Sequence, residues 1–523
     1  MPEYLRPGVF IEEIERGPRP IEGVPTSTAA FLGAAERGPT KPLMVTSYKE
    51  YSRYFGGVFG DFNFLPYAVS GFFENGGKRL FACRLVDQDA TPAQADAGDF
   101  LLRAVGAGSW GRRVWVAVRE STTRDRTNAP VGFRVSVAYF AAGDEIYDPF
   151  DRANDARTPR PYAEDYDDLV VDEKSPDFYG KRLNFVDMDK GPRNQGPDAS
   201  ALIVLVRKSG VPAATAPAAF SGLLSDQGED GGDLDVTDYV GEAAGQRAEQ
   251  QGLAALELDP YREVALVYAP NVDTPTRLAI ISHCERMRFR FAVIDADKSS
   301  ASPSAIDPRT SITDSSYAGF YYPWLAISDP STGARKIVPP GGHMLGVFAR
   351  TDVERGVYKA PANEIVRGAL DLEYDINDGH QETLNPRGVN AIRRFPGRGI
   401  RVWGSRTLSS NSLWKYVSVR RLFIFIERSI YEGTQWVVFE PNDPKLWARV
   451  TDSTRWFLLT QWREGALFGR KETEAFHITC NETVMSRDDI LNGRLICEIG
   501  IAPVRPAEFV IFRLFQNTAE AQR

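Results

Sequence analysis

The ends of this chain place the strongest constraint on its fold. Gly8 to Ile14 and Glu508 to Phe515 are short runs rich in β-branched and aromatic residues, lying at opposite ends of a 523-residue sequence. Side chains of this kind fit the pleated surface of a sheet. In the second run Phe509, Val510, Ile511 and Phe512 follow one another directly, so a strand built from them is apolar on both faces. Each end therefore needs a sheet to join. Two placements satisfy that need: pairing within the chain's own domain, or addition to the open sheet edge of a neighbouring copy, whose unpaired backbone N–H and C=O groups complete the ladder. Behind the first run, Arg16-Gly17-Pro18-Arg19-Pro20 favours extended backbone and reads as a linker.

A chain of this length exceeds one ordinary core and points to about two to four domains. Its hydrophobic fraction of 43% and charged fraction of 25% are those of a folded protein. A net charge of −8 gives no electrostatic footprint for nucleic acid, so none is expected as a direct partner. No apolar run approaches the roughly 18 residues of a membrane span, and no basic start precedes an apolar stretch. The expectation is a protein made and kept in the cytoplasm, without direct membrane contact. Cys83, Cys284, Cys480 and Cys497 show no CxxC spacing and read as reduced, mostly buried thiols.

Local patterns divide the chain further. From Thr26 to Val86 the sequence predicts a β/α unit: a strand at Thr28 to Gly33, helices near Ser47 to Phe55 and Leu65 to Asn75, and a strand at Arg79 to Leu85. The pattern resumes with a βαβ-like unit: strands at Glu263 to Tyr268 and Phe289 to Asp295 flank a helix from Pro275 to Met287. The region between, Ala93 to Leu253, has strand-like Val114 to Arg119 and Phe133 to Tyr139. It also has an acidic cluster (Asp144, Glu145, Asp148, Glu164, Asp165, Asp167, Asp168, Asp172, Glu173) and a Gly/Ala/Pro-rich loop from Ser209 to Gly232, and it reads as a solvated insertion. Beyond Pro339-Pro340-Gly341-Gly342 the chain becomes aromatic and basic, with six of nine tryptophans between 403 and 462, which marks a further core. There, Val419 to Tyr431 has helical apolar spacing ended by Gly433, Thr434 to Phe439 reads as a strand, and Asn442-Asp443-Pro444 caps a helix running to about Gly465.

Catalytic and ligand-binding patterns are weak. Gly106-Ala107-Gly108-Ser109-Trp110-Gly111 matches GxGxxG, but a β-alternating segment follows where a helix N-terminus must hold the pyrophosphate, so a turn is the reading. No GxxxxGK[ST] or GxSxG occurs, and His283, His343, His380 and His477 have no metal-ligand spacing. No catalytic residue, cofactor or metal is assigned. The densest basic run, Arg387, Arg393, Arg394, Arg398, Arg401 and Arg406, is interleaved with Gly and apolar residues, which favours structural or subunit ion pairing over phosphate binding.

Longer strings carry a specific resemblance. Pro7 to Glu13, Thr26-Ser27-Thr28-Ala29-Ala30-Phe31-Leu32-Gly33 and Glu36-Arg37-Gly38-Pro39 resemble the opening of contractile tail sheath proteins of phage tails and phage-derived injection systems. The second half follows the same family in order: Tyr322-Pro323-Trp324, Val338 to His343, Arg355 to Glu364, Leu384-Asn385, Gly388-Val389-Asn390, Gly399 to Thr407, Val419 to Leu422, Gln435 to Asn442 and Pro503 to Phe509. The resemblance covers about residues 5 to 90 and 260 to 517.

It implies a mixed α+β multidomain fold, with a C-terminal α/β sheath core domain completed by strand addition from neighbouring subunits, a middle β/α domain and an inserted β-rich outer domain. The expected boundaries are 1–25 for the N-terminal arm and linker, 26–92 plus 254–340 for the middle domain, 93–253 for the insertion, 341–506 for the C-terminal core and 507–523 for the C-terminal arm. It implies a helical sheath that surrounds an inner tube and contracts to drive it through a target envelope. The implied partners are further copies of the chain, the inner tube protein, and baseplate and tail terminator proteins; the implied location is a virion tail or released injection particle. Val9, Phe10, Ile11, Phe509, Val510, Ile511 and Phe512 become inter-subunit arms. The helix from Pro444, with Leu446, Val450, Phe457, Leu458 and Trp462 on its buried side, leaves Lys445, Arg449 and Arg455 to face the tube. The alternative from another class is a soluble βαβ-containing cytoplasmic enzyme.

Overall fold

A computed structural model describes residues 20–189, 191–192, 199–241, 251–298 and 303–513, so Val9, Phe10 and Ile11 lie outside the described residues. By internal contacts the chain divides into two units, a larger one of 26–354 and 360–417, and a smaller one of 20–25, 355–359 and 418–513 among the described residues.

The larger unit is organised by an eight-stranded sheet in the order Leu43–Val45, Leu80–Arg84, Ala29–Gly33, Leu266–Tyr268, Phe291–Asp295, Ala318–Tyr322, Val389–Phe395, Gly399–Val402. The central strands pair in parallel and each edge strand is antiparallel. Every residue of Ala29–Gly33, Leu80–Arg84, Phe291–Asp295 and Ala318–Tyr322 is buried, as expected of strands covered on both faces. Helix starts follow their local chemistry. Ser47 accepts from the Glu50 N–H ahead of Tyr48–Phe55, and Asp273 accepts from the Thr276 N–H ahead of Thr274–Met287.

The Pro-Gly-Gly stretch has a packing reason. A Cβ on Gly342 would sit 2.4 Å from the Ala68 carbonyl oxygen, and one on Gly346 2.5 Å from that of Phe72. The Gly341–Arg355 helix therefore approaches Leu65–Glu74 at backbone distance, which only glycine allows. At its start the Gly341 N–H donates to the Asp295 carboxylate at 2.8 Å, while the Tyr268 hydroxyl donates to the other oxygen at 2.5 Å. Full burial pushes the Asp295 carboxyl up to about 7, with these hydrogen bonds acting in the opposite direction.

Residues between the Leu80–Arg84 and Leu266–Tyr268 strands form two further sheets. One orders Gly191–Pro192, Asn184–Asp187, Ile203–Arg207, Phe100–Ala104, Gln94–Ala97; the other orders Phe220–Leu223, Val114–Glu120, Phe133–Tyr139, Tyr162–Leu169. They share a core that includes Phe100, Trp110, Val116, Val137, Tyr179 and Phe185. One member of the acidic cluster departs from the solvated reading: Glu164 is buried, accepting from the Ser200 hydroxyl at 2.5 Å and the Ala201 N–H at 3.0 Å. The GxGxxG string is a short 3₁₀ turn, Ser109–Arg113, leading into the Val114–Glu120 strand, and Ser109 is held by Asp230.

Two expectations are corrected. The boundary placed at 340/341 moves to about 417/418, because the Val389–Phe395 strand pairs in parallel with Ala318–Tyr322 and brings Gly399–Val402 with it into the large sheet. Thr434 to Phe439 is not a strand but a 3₁₀ turn over Gln435–Val437, and Val437 packs into a small core around Leu446, Trp447 and Val450. Lacking a neighbouring strand among the described residues, this β-prone run half-buries Trp436 and Val437 against that core and leaves Val438 and Phe439 in solvent. Glu508 to Arg513 shows no strand pairing among the described residues, and the last two residues of that run lie outside them.

Candidate functional site

The smaller unit is built on two helices, Val417–Gly433, whose first residue belongs to the larger unit, and Pro444–Arg463. Asp443 caps the second by accepting from the Leu446 N–H at 2.8 Å, and Pro444 occupies its first turn. Leu422 and Ile426 meet Phe457, Leu458 and Leu459 in a core that also takes in Ile21, Val357, Leu467 and Phe476. The helix buries Leu446, Val450, Phe457 and Leu458 as its spacing predicted, with Trp462 half-buried.

Against this core lies a sheet of only two strands, Phe476–Thr479 and Glu498–Ile501, paired antiparallel. The ladder runs on through a bridge between Leu467 and Pro503 and a bond from the Phe468 N–H to the Ala502 carbonyl at 2.7 Å. Ile478, Ile499 and Ile501 pack on the core while remaining half-buried. Among the described residues neither strand has a second neighbour, so two rows of N–H and C=O groups stay unpaired. A two-stranded sheet is marginal in water when isolated, and this one is held by its packing on the helices.

The chain continues from this sheet into the C-terminal run. Phe509, Val510, Ile511 and Phe512 are 71%, 68%, 78% and 85% exposed. Four consecutive large apolar side chains in solvent form the kind of exposed patch that marks an interaction surface. The N-terminal Val9, Phe10 and Ile11 cannot be placed beside them, being outside the described residues.

The three cationic residues assigned to the Pro444–Arg463 helix are exposed, but they differ in state. Arg455 donates twice to the Glu472 carboxylate, at 2.5 and 3.0 Å, and this pairing holds Glu472 below the usual carboxylate range. Arg449 pairs with Glu440 at 2.9 Å and lies over the Trp436 ring at 5.0 Å. Lys445 has no ion-pair partner among the described residues. The structure thus places all three on one helix but leaves only Lys445 uncommitted. Sequence reasoning missed Val438 and Phe439, exposed in the loop before this helix. Phe439 is fully exposed with φ of 68°, a backbone region that bulky side chains avoid.

The arginine run from 387 to 406 is absorbed into the larger unit. Arg387 donates to the Ser304 and Ile306 carbonyls, Arg393 to Ile376 and Asp378, Arg401 to the Asn363 carbonyl, and Arg394 pairs with Asp371. These guanidinium groups fasten loops to the sheet's edge. Among the described residues no helix is long and apolar enough to cross a membrane, and no group of three or more His, Cys, Asp or Glu is placed to hold a metal.

Residues 241–408 match the family model described as phage tail sheath protein central domain, and residues 409–517 match that of the phage tail sheath C-terminal domain. Together they span more than half of the sequence and meet near the boundary between the two units. A putative prophage major tail sheath protein of Pseudomonas aeruginosa is 27% identical over 198 residues, 37% of this chain and 49% of that protein, so the match spans about half the length of this relative. Two solved structures share the fold. The sheath complex of an extracellular contractile injection system (PVC) in its contracted state matches with a TM-score of 0.58 and 21% identity over 100% of both chains. The helical sheath of the anti-feeding prophage in its contracted state matches with a TM-score of 0.57 and 22% identity, covering 98% of this chain and 99% of that one.

Proposed function

Since this chain belongs to the phage tail sheath protein family, a structural rather than enzymatic family, we propose that it polymerises into a helical sheath around an inner tube and contracts to drive that tube through a target envelope. The observation that carries the reading is the pairing of an unfinished sheet with an exposed apolar run. The strands Phe476–Thr479 and Glu498–Ile501 have open edges among the described residues, and Phe509 to Phe512 stand in solvent on the same chain. Addition of a neighbour's C-terminal arm to one edge and of its N-terminal arm, through Val9, Phe10 and Ile11, to the other completes the sheet. Because each arm leaves its own body and enters another copy, the contact is heterologous and propagates as a helix.

Strand addition suits a contracting assembly. Backbone ladders hold connectivity while the side-chain interfaces between bodies repack. The extended form is then a kinetically trapped state, and contraction releases free energy by burying new surface between subunits. In this arrangement the 93–253 sheets form the outer ridges, and the Pro444–Arg463 helix faces the tube through Lys445, with Arg449 and Arg455 available if their pairs with Glu440 and Glu472 open. Exposed ion pairs, each worth about 0–1 kcal/mol, allow a tube to slide free where an apolar seam would hold it. Baseplate and terminator proteins would bind the two ends of the sheath, and the finished particle is a virion tail or a released injection device.

Negative-stain microscopy of the purified chain tests this: rods, rings or contracted tubes are expected, and compact single particles at every concentration would refute it. Removal of 507–523 is expected to leave a folded chain that no longer forms long assemblies.

A further inference from the structure

The two-stranded sheet carries one feature that assembly does not use. Its register pairs Phe476 with Ile501, His477 with Gly500, Ile478 with Ile499 and Thr479 with Glu498, so the next residues facing each other are Cys480 and Cys497. The type of that position follows from the ladder. The Ala502 N–H donates to the Ala475 carbonyl at 2.9 Å, which makes 475 and 502 a hydrogen-bonded pair. Pair types alternate along an antiparallel ladder, so 480 and 497, an odd number of steps away, are a non-hydrogen-bonded pair. There Cα atoms lie about 4.5 Å apart and side chains are closest, inside the roughly 4.4–6.8 Å that a disulfide spans. Each thiol perturbs the titration of the other, as close neighbours do.

We propose that Cys480 and Cys497 form an intrachain cross-strand disulfide by exchange with a low-molecular-weight disulfide, clamping the end of the two-stranded sheet and closing the 481–496 loop. Both thiols pack in one small core with Leu446, Trp447, Val450 and Met485, and reagent has a way in. Cys497 is half-buried, and Cys480 lines an open groove of about 610 Å³ together with Pro444, Trp447, Thr451 and Asp452. The Cys497 thiolate attacks one sulfur of oxidised glutathione, breaking its S–S bond and releasing one glutathione thiolate. The Cys480 thiolate then attacks the Cys497 sulfur of the mixed disulfide and releases the second glutathione. Both cysteine protons pass through solvent to the departing thiolates; the protein dithiol loses two electrons and one oxidised glutathione gains them.

Burial pushes both thiols up, Cys497 to about 12, so little thiolate exists at neutral pH and exchange is slow. The pair therefore stays reduced in a glutathione-buffered interior and closes in an oxidising exterior, a timing that rests on the proposed release of the particle. Closure fixes the register of the sheet that receives the arms and ties down the Arg487–Leu491 helix in the loop.

The full-length chain is incubated with oxidised glutathione, cut with trypsin under native conditions, alkylated under denaturing conditions and read by mass spectrometry. The expected result is a linked peptide pair holding Cys480 and Cys497, with Cys83 and Cys284, both buried in the larger unit, fully alkylated. Fragments cut after Arg487 or Arg494 stay joined without reductant and separate with it. Full alkylation of Cys480 and Cys497, or glutathione left on Cys497 without a link, overturns the proposal. Cys480→Ser is expected to retain the glutathione adduct on Cys497; if that variant does not fold, the wild-type linkage decides. Particle formation is not read, so this result and the sheath reading fail separately.

Discussion

Replacing Phe509 and Ile511 together by alanine separates assembly from folding. The two residues sit two apart and share one face of an extended strand. They are 71% and 78% exposed in the isolated chain, so truncation removes little packing and is expected to change folding stability by no more than about 0.5 kcal/mol. In the proposed strand addition the same side chains would be covered by a neighbour's sheet. Full burial of a Phe or Ile is worth about 1.5–3 kcal/mol, and with roughly three quarters of that area still available the pair contributes about 3–4 kcal/mol to strand addition. That corresponds to a several-hundred-fold weaker arm equilibrium. The assay is the concentration at which sheaths sediment, with negative-stain images of the pellet, alongside thermal unfolding of the unassembled chain. The expected result is loss of long assemblies at wild-type concentrations with unchanged unfolding. Wild-type polymerisation would show that the run is not buried between copies, and a marked fall in the unfolding temperature would show that it packs within its own chain.

Lys445→Glu, which breaks no ion pair among the described residues, is expected to give sheaths that polymerise but lose register with the tube or contract early; unchanged extended particles by cryo-EM would remove the helix from the tube interface. Gly346→Ala places a Cβ 2.5 Å from the Phe72 carbonyl oxygen and is expected to lower stability by about 1–3 kcal/mol, measured as a shift in the urea midpoint. Asp295 titrates at about 7 in the folded chain against 3.8 ordinarily, so the folded state holds a proton that the unfolded state has lost. Its contribution is full below 3.8 and is lost as pH rises through about 7; the urea midpoint of the larger unit should fall between pH 5 and pH 8, and Asp295→Asn should flatten that fall.

The sequence by itself determined the elements whose cause is local. Ala29–Gly33, Leu80–Arg84 and Phe291–Asp295 announced themselves as buried strands because both of their faces are covered. Asp443 marked a helix start because a cap satisfies the donors of its own first turn, as Ser47 and Asp273 also do in the structure. The buried stripe of Pro444–Arg463 followed from its period, and the longer strings identified the family. What only the tertiary structure decided was which segments meet. It took Val389–Phe395 and Gly399–Val402 into the large sheet, turned Gln435–Val437 away from strand pairing, and buried Glu164 under the Ser200 hydroxyl. It also committed Arg449 and Arg455 to Glu440 and Glu472, left Phe509 to Phe512 uncovered, and set Cys480 opposite Cys497. Propensity, capping and periodicity act over a turn or two of chain. Strand partners, ion pairs and the covering of an apolar face join residues tens to hundreds of positions apart, and only packing in three dimensions selects among the partners that the sequence makes available.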